Sequence, residues 1–344
     1  MRKLIRGVAL LLAVLMMVSV AGCAGKKVEQ PQQPAEQAKP KVKAGIMYAI
    51  MNPARAGGWD RADWAGIEYL RKELGWEVTV AEGVPYPQTA ATAAGYAEKG
   101  YDIVIFPDNG QIEAFKEVPP KYPKTWFVMT SLCDELPNSP RVAAWFPDLY
   151  VYGNVVGAIA AKASKTGTIG VIGGVPIPAL ITMYSGIIEG AKYVRPDAKV
   201  LVYWVGDWVD VPKHREVTTL QVQQGADVIF AVSGPGTTGV FEGAEAGGAK
   251  VIGYAADWYE DAPKAVLTSV LIDKRQMYRD MAEQFMSGKL EKKMVNCGAE
   301  FFKVADFRGS LPADKVKEIE ELVGKMQQGE IVIPVKIHEE IAKK

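Results

Sequence analysis

The sequence predicts an α/β protein of two lobes, each a doubly wound parallel sheet, with several strands crossing between the lobes as a hinge. Three observations carry that prediction. From Val42 onward, short apolar runs alternate with amphipathic stretches, the order that right-handed βαβ crossovers produce. The runs are rich in Val and Ile without clean two-residue alternation, as expected of strands covered on both faces. The pattern also occurs twice in tandem, over a length of about 300 residues that exceeds one hydrophobic core.

In the first series AGIMYAI, WEVTV, YDIVIFPD, TWFVMTS and RVAAWF read as strands. Helical patterns over residues 61–74, 88–99 and 112–122 separate them. The second series runs through a helix over 149–164, the strand GTIGVIGGV, a helix over 181–194 and the strand KVLVYWVG. It continues with a helix over 213–224, DVIFAVSG, a helix over 239–246 and KVIGYAAD. A further strand, VLTSVLI, and helices over 275–286 and 313–328 remain, and these must join sheets already built. The lobes are therefore expected to be discontinuous, with 43–148 and 261–302 in the first, and 149–260 and 303–344 in the second.

In such sheets ligands bind beyond the carboxyl ends of the strands. Four of the eight tryptophans, Trp59, Trp145, Trp208 and Trp258, fall at those ends, each within three residues of an aspartate. Indole rings can stack the faces of a planar polar ligand while carboxylates accept from its edge. The competing reading makes Trp145 and Trp208 packing residues and the aspartates helix N-caps. Trp59 and Asp60 follow Gly57-Gly58, which lets the backbone approach a ligand closely. Trp145 and Phe146 end a crossing strand and would form an opposite wall. Asp148, just after them, fits a capping role better.

Asp108, Asn109 and Gln111 offer donors and acceptors to a ring edge, although Asp-Asn-Gly suits a turn equally well. Pro176 ends the first strand of the second series, and Asp207 with Trp208 ends the next. Ser233 and Gly234 open a short turn, Ser-Gly-Pro-Gly-Thr, that matches neither a dinucleotide fingerprint nor a phosphate-gripping loop. Asp257, next to Trp258, is the strongest single polar candidate, because it sits near a crossing that both lobes can reach.

The first residues give the setting. Arg2, Lys3 and Arg6 precede an apolar run over 8–18, and Val20-Ala21-Gly22-Cys23 looks like a bacterial lipobox. Residues 1–22 are expected to be a lipoprotein signal peptide, with Cys23 lipidated at the new N-terminus. Residues 23–42, rich in Pro, Gln and charge, are expected to be a disordered tether. The domain would then sit on an extracytoplasmic face, anchored to the cell membrane. Lys plus Arg and Asp plus Glu number 40 each, and no basic stripe or Arg-rich run asks for nucleic acid. With His214 and His338 the only histidines, a His-rich metal site is excluded and a His-based triad is disfavoured. Cys133 and Cys297 could form a disulfide or remain buried thiols.

Long ordered stretches then resemble a known family: FPDLYVYGNVVGAIAAKASKTGTIGVIGGVPIPALITMYSGIIEGAKYVRPDAKV, YWVGDWVDVPKHREVTTLQVQQGADVIF, VIGYAADW and LTSV. The chain is similar to the basic membrane protein family of ABC-transporter substrate-binding lipoproteins. The resemblance implies a two-lobed periplasmic-binding-protein fold of the first structural type, closing on a solute. The characterised branch delivers purine nucleosides to a permease. Three departures bear on the ligand. Where that branch carries Asp-Lys-Ser-Phe-Asn, this chain has Ala56-Gly57-Gly58-Trp59-Asp60; where it carries Gly-Val-Asp-x-Asp-Gln, Ala255 replaces the first acid. A lysine expected shortly after LTSV appears as Ile272. A site lacking those ribose-contacting groups would leave sugar hydroxyls unpaired, at about 1–3 kcal/mol each. A second branch, with Gly-Trp-type first loops and Gly-Tyr-x-x-Asp, resembles this chain more closely, and a free purine base is the preferred ligand.

The resemblance also implies an ABC permease with its ATPase as partners and a monomer that needs no cofactor and performs no chemistry. A sensor lipoprotein docking a signalling receptor is the alternative. A nucleoside hydrolase would need acids clustered around a metal, and the sequence has no such dense cluster.

Overall fold

The computed structural model describes residues 41–343, so Cys23 and most of the tether lie outside the described residues. The first half contains β1 (Lys43–Met47), α1 (Gly58–Lys72), β2 (Glu77–Ala81), α2 (Thr89–Glu98), β3 (Ile103–Phe106), α3 (Ile112–Glu117), β4 (Trp126–Met129) and β5 (Val142–Pro147). After it come α4 (Leu149–Ala163), β6 (Thr168–Gly173), α5 (Pro178–Val194), β7 (Lys199–Trp204), α6 (Val211–Gln223), β8 (Val228–Val232), α7 (Thr237–Gly247) and β9 (Lys250–Ala255). The chain closes with β10 (Val266–Ile272), α8 (Lys274–Met286), β11 (Lys293–Cys297), β12 (Phe302–Val304) and α9 (Ala313–Gln327).

Two six-stranded sheets result, in the orders β11-β5-β4-β3-β1-β2 and β12-β10-β9-β8-β6-β7. The first is parallel throughout; in the second only β12 runs antiparallel. Both have the two-layer winding that reverses direction beside the first strand, between β1 and β3 and between β6 and β8. The interior strands β3 and β10 are almost wholly buried, which explains why their Val and Ile do not alternate with polar residues.

The strand pairing corrects the expected partition of the C-terminal third. Residues 261–302 do not all return to the first lobe, because β10 bonds to β9 and β12 in the second sheet. The chain crosses only after Ile272, where α8 packs on α1 and β11 joins β5. β12 then returns to the second sheet, and α9 packs on α4.

Capping explains several aspartates. Asp148 accepts from the Val151 amide at 3.0 Å and starts α4, and Asp210 and Asp273 do the same for α6 and α8. Trp145 is 1% exposed and belongs to the core, and Phe146 packs against a neighbouring apolar cluster. Cys133 and Cys297 are both buried free thiols. Among the described residues no helix is long and apolar enough to cross a membrane.

Candidate ligand-binding cleft

A cavity of about 870 Å³ lies between the two sheets, lined by the loops that follow β1, β2, β3, β4, β6, β7, β8 and β9. Four of these are the switch-point loops of the two halves, where the diverging strands leave a crevice. Backbone fit brings the halves together at its rim. A Cβ on Gly58 would lie 1.9 Å from the Tyr254 carbonyl oxygen, so only glycine lets α1 begin this close to β9. Nearby, Arg61 of α1 holds Asp261, beyond β9, through two hydrogen bonds of 2.7 and 2.9 Å. Its guanidinium also lies 4.2 Å from the centroid of the Trp258 ring.

Trp59 enters the cavity wall at the start of α1, and its Nε1 donates to the Pro107 carbonyl at 2.9 Å. That bond ties the loop after β1 to the end of β3. Asp60 stands beside it. Burial pushes its carboxyl up to about 7, Asp108 adds to the rise, and Lys274 pulls against it. Asp108 is held at both oxygens: one accepts from the Gly110 amide at 2.7 Å, the other from the Tyr86 hydroxyl at 2.9 Å. Asn109 also lines the cavity. Gln111 turns inward instead: its Nε2 donates to the Met47 carbonyl, and its Oε1 accepts from the Asp108 amide, closing the turn's capping box.

The second half supplies Trp208, Ser233, Gly234, Tyr254 and Trp258 to the wall, among aliphatic neighbours such as Leu180. Ser233 Oγ is buried without a hydrogen-bond partner among the described residues. Gly234 has φ +49°, a backbone state its missing Cβ permits. Trp258 Nε1 donates to the Tyr254 carbonyl at 3.0 Å, which fixes the ring. Among the described residues that line the cavity there is no Lys, Arg or His.

A match to the family model described as ABC transporter substrate-binding protein PnrA-like, Bmp, covers residues 44–336. The chain belongs to the Bmp family. Its members are substrate-binding proteins of ABC transporters rather than enzymes. The purine-binding protein of Brucella abortus is 28% identical over 304 residues, covering 86% of this chain and 84% of the relative. The ABC transporter nucleoside-binding protein BmpA of Lactococcus lactis is 25% identical over 241 residues, covering 68% and 67%. An ABC transporter solute-binding protein from Aeropyrum pernix matches in fold, with a TM-score of 0.73 at 18% identity, covering 87% of this chain and 95% of the other. As a Bmp protein the chain is an extracytoplasmic substrate-binding component that works with a permease.

Five sequence candidates lie away from the Bmp cleft. Trp145 and Phe146 are packing residues, because their part of β5 is covered by core elements. Pro176 is exposed at the edge of its loop, with Ile177 facing the cavity in its place. Asp207 closes a turn, accepting from the Val209 and Asp210 amides at 2.6 and 2.8 Å, bonds that hold its carboxyl below the usual range. Asp257, the strongest sequence candidate, is not a wall residue either. It accepts from the Tyr259 amide and pairs with Arg308 at 2.5 Å. Tyr86 and Tyr254 line the cavity although neither is a site candidate from the sequence: Tyr86 lies in no run that singles it out, and Tyr254 figures only as part of the Gly-Tyr-x-x-Asp pattern. Tyr254 stands two residues inside a strand that otherwise reads as core.

Proposed function

We propose that this protein is a lipid-anchored receptor that captures a purine base between its lobes and passes it to the permease. The observation that carries the reading is the cavity wall around Trp59. An indole face lies beside two carboxylates, with further indoles from Trp208 and Trp258 and, among the described residues, no cationic side chain on the lining. Aromatic stacking on a base is worth about 1–3 kcal/mol. A hydrogen bond from a ring N–H to an ionised carboxylate adds roughly 1.5–3 kcal/mol. Phosphorylated ligands are disfavoured, because two aspartates would repel them and nothing on the lining offsets that charge.

A base rather than a nucleoside is favoured by the positions where a related pattern would place ribose-holding groups. Here they are Ala255 and Ile272, both buried and apolar. The names of the Brucella and Lactococcus relatives point to the same ligand class, purine in one and nucleoside in the other. Cys23 would carry the lipid, and residues 23–42 would give the domain reach from the membrane to the permease.

Capture would work by population shift. A ligand touching both walls binds the closed arrangement more tightly and so stabilises it. The test is mass spectrometry of small molecules released by denaturing the purified protein, followed by calorimetry with bases, nucleosides and sugars. Recovery of a purine base that rebinds is expected. Binding of nucleosides alone would shift the assignment to groups that hold ribose, and indifference to the whole panel would overturn it.

A further inference from the structure

We propose that Lys274 is a positioning residue that fixes the Trp59 ring and biases its cavity face toward electron-rich ring ligands. The proposal rests on the reading that Trp59 stacks a ring ligand, and it concerns a side chain that does not reach the cavity.

Lys274 opens α8 and its side chain is 0% exposed. Its Nζ lies 2.9 Å from Asp63 Oδ1, also fully buried, and 3.6 Å from the centroid of the Trp59 ring. Asp63 further accepts from the hydroxyls of Tyr48 at 2.5 Å, Tyr278 at 2.9 Å and Thr130 at 3.1 Å. This is a well-satisfied buried pair. For stability alone, such a pair is often matched or bettered by apolar side chains of the same size, so its charge points to a second role.

The geometry supplies that role. Trp59 lines the cavity and Lys274 does not, so the ammonium lies on the side of the ring turned away from the cavity. The Pro107 carbonyl holds the ring's edge while the ammonium holds its back. Indole is the aromatic side chain that best attracts a cation over its face. The cation draws π density toward itself and leaves the opposite face less negative. An electron-rich ring then stacks there more favourably than an electron-poor one.

The test uses the purified full chain and the double variant Asp63→Asn/Lys274→Met, which removes both charges together and leaves no orphaned carboxylate. Thermal melts establish that it folds. Calorimetry then compares 7-deazaadenine, adenine and 8-azaadenine, which share size and amino edge and fall in that order of ring electron density. Loss of the ring N7 contact in the deaza compound is common to both proteins, so it cancels when their preferences are compared. Wild type should prefer the richer ring, and the preference should shrink about threefold to tenfold in the double variant. A preference unchanged within about twofold would overturn the proposal. Near-ultraviolet circular dichroism provides a readout that needs no ligand. The double variant should alter the indole fine structure at the long-wavelength edge, where tyrosine does not absorb, and that alteration should vanish in a Trp59→Phe background. If none of the three compounds binds wild type, the purine reading fails while the spectra still decide. An alteration that persists without Trp59 then overturns the positioning role.

Discussion

The two walls of the cleft come from halves with the same strand order, yet they differ in chemistry. The first half brings both carboxylates, Asp60 and Asp108, together with the Tyr86 hydroxyl and Asn109. The second brings Trp208, Leu180, Val232 and Phe241, and its polar groups are hydroxyls such as those of Ser233 and Thr237. A duplicated scaffold has thus been given one directional wall and one largely apolar wall. Directional bonds set which ring edge is accepted, whereas apolar contact rewards closure over any ring of suitable size. The lesson is that the fold dictates where the walls stand and the loops at the strand ends dictate what each one does.

That contrast is broken most directly at the indoles. Trp59→Ala removes the indole on the directional side and should weaken binding about 10- to 100-fold by calorimetry. Trp208→Ala should weaken it less, because neighbouring aliphatic groups still cover the ligand. An equal or larger loss at Trp208 would mean that the apolar wall leads recognition.

How the sequence foreshadowed this depends on the residue. The alternation of Val-rich runs with amphipathic helices made both sheets legible, and the order of the loops made their mouths identifiable. β11 and β12 escaped notice because they are short edge strands of mixed composition, KMVNC and FKV, whose place is set by partners far away in sequence. β10 was assigned to the wrong lobe for a related reason: its pattern declares a buried strand but not which sheet buries it. Trp59 and Asp60 were readable, since a Gly-Gly pair just before them marks a close backbone approach. Trp145 was misread because it lies within β5 rather than beyond it, and its side chain alternates onto the core face.

Acidity sharpens the comparison at an intermediate size. The Asp60 carboxyl is raised to about 7 chiefly by burial, so in the unliganded protein it gains protons well above its unfolded range. The folded state therefore binds the extra proton between about pH 4 and 7. Its stabilising effect is complete at the acid end and is lost as pH rises through 7. Melting temperature should fall across that window, and Asp60→Asn should flatten the fall. A ligand that donates an N–H to Asp60 selects the ionised form, so affinity should drop up to about tenfold for each pH unit below 7. In Asp60→Asn that dependence should disappear. A pH-independent wild type would show that the ligand does not engage this carboxylate.

The smallest expected effect is at Asp257, and it separates proximity in sequence from membership of the cleft. Asp257 adjoins Trp258, which lines the cavity, but its carboxylate points to a different task. It caps the Tyr259 amide at 3.1 Å, lies 3.4 Å from the Ser269 hydroxyl and pairs with Arg308. The pair joins the loop after β9 to the segment following β12. Both side chains are about a third exposed, so the ion pair is worth roughly 0–1 kcal/mol. Asp257→Asn keeps the amide-accepting oxygen and loses only the charge. Affinity should therefore stay within about twofold of wild type, with a melting temperature lower by about 1–3 °C. A selective loss of binding to ligands with edge donors would mean that the loop turns inward around the ligand. The directional wall would then extend into the second half, and the division of labour between the two lobes would no longer hold.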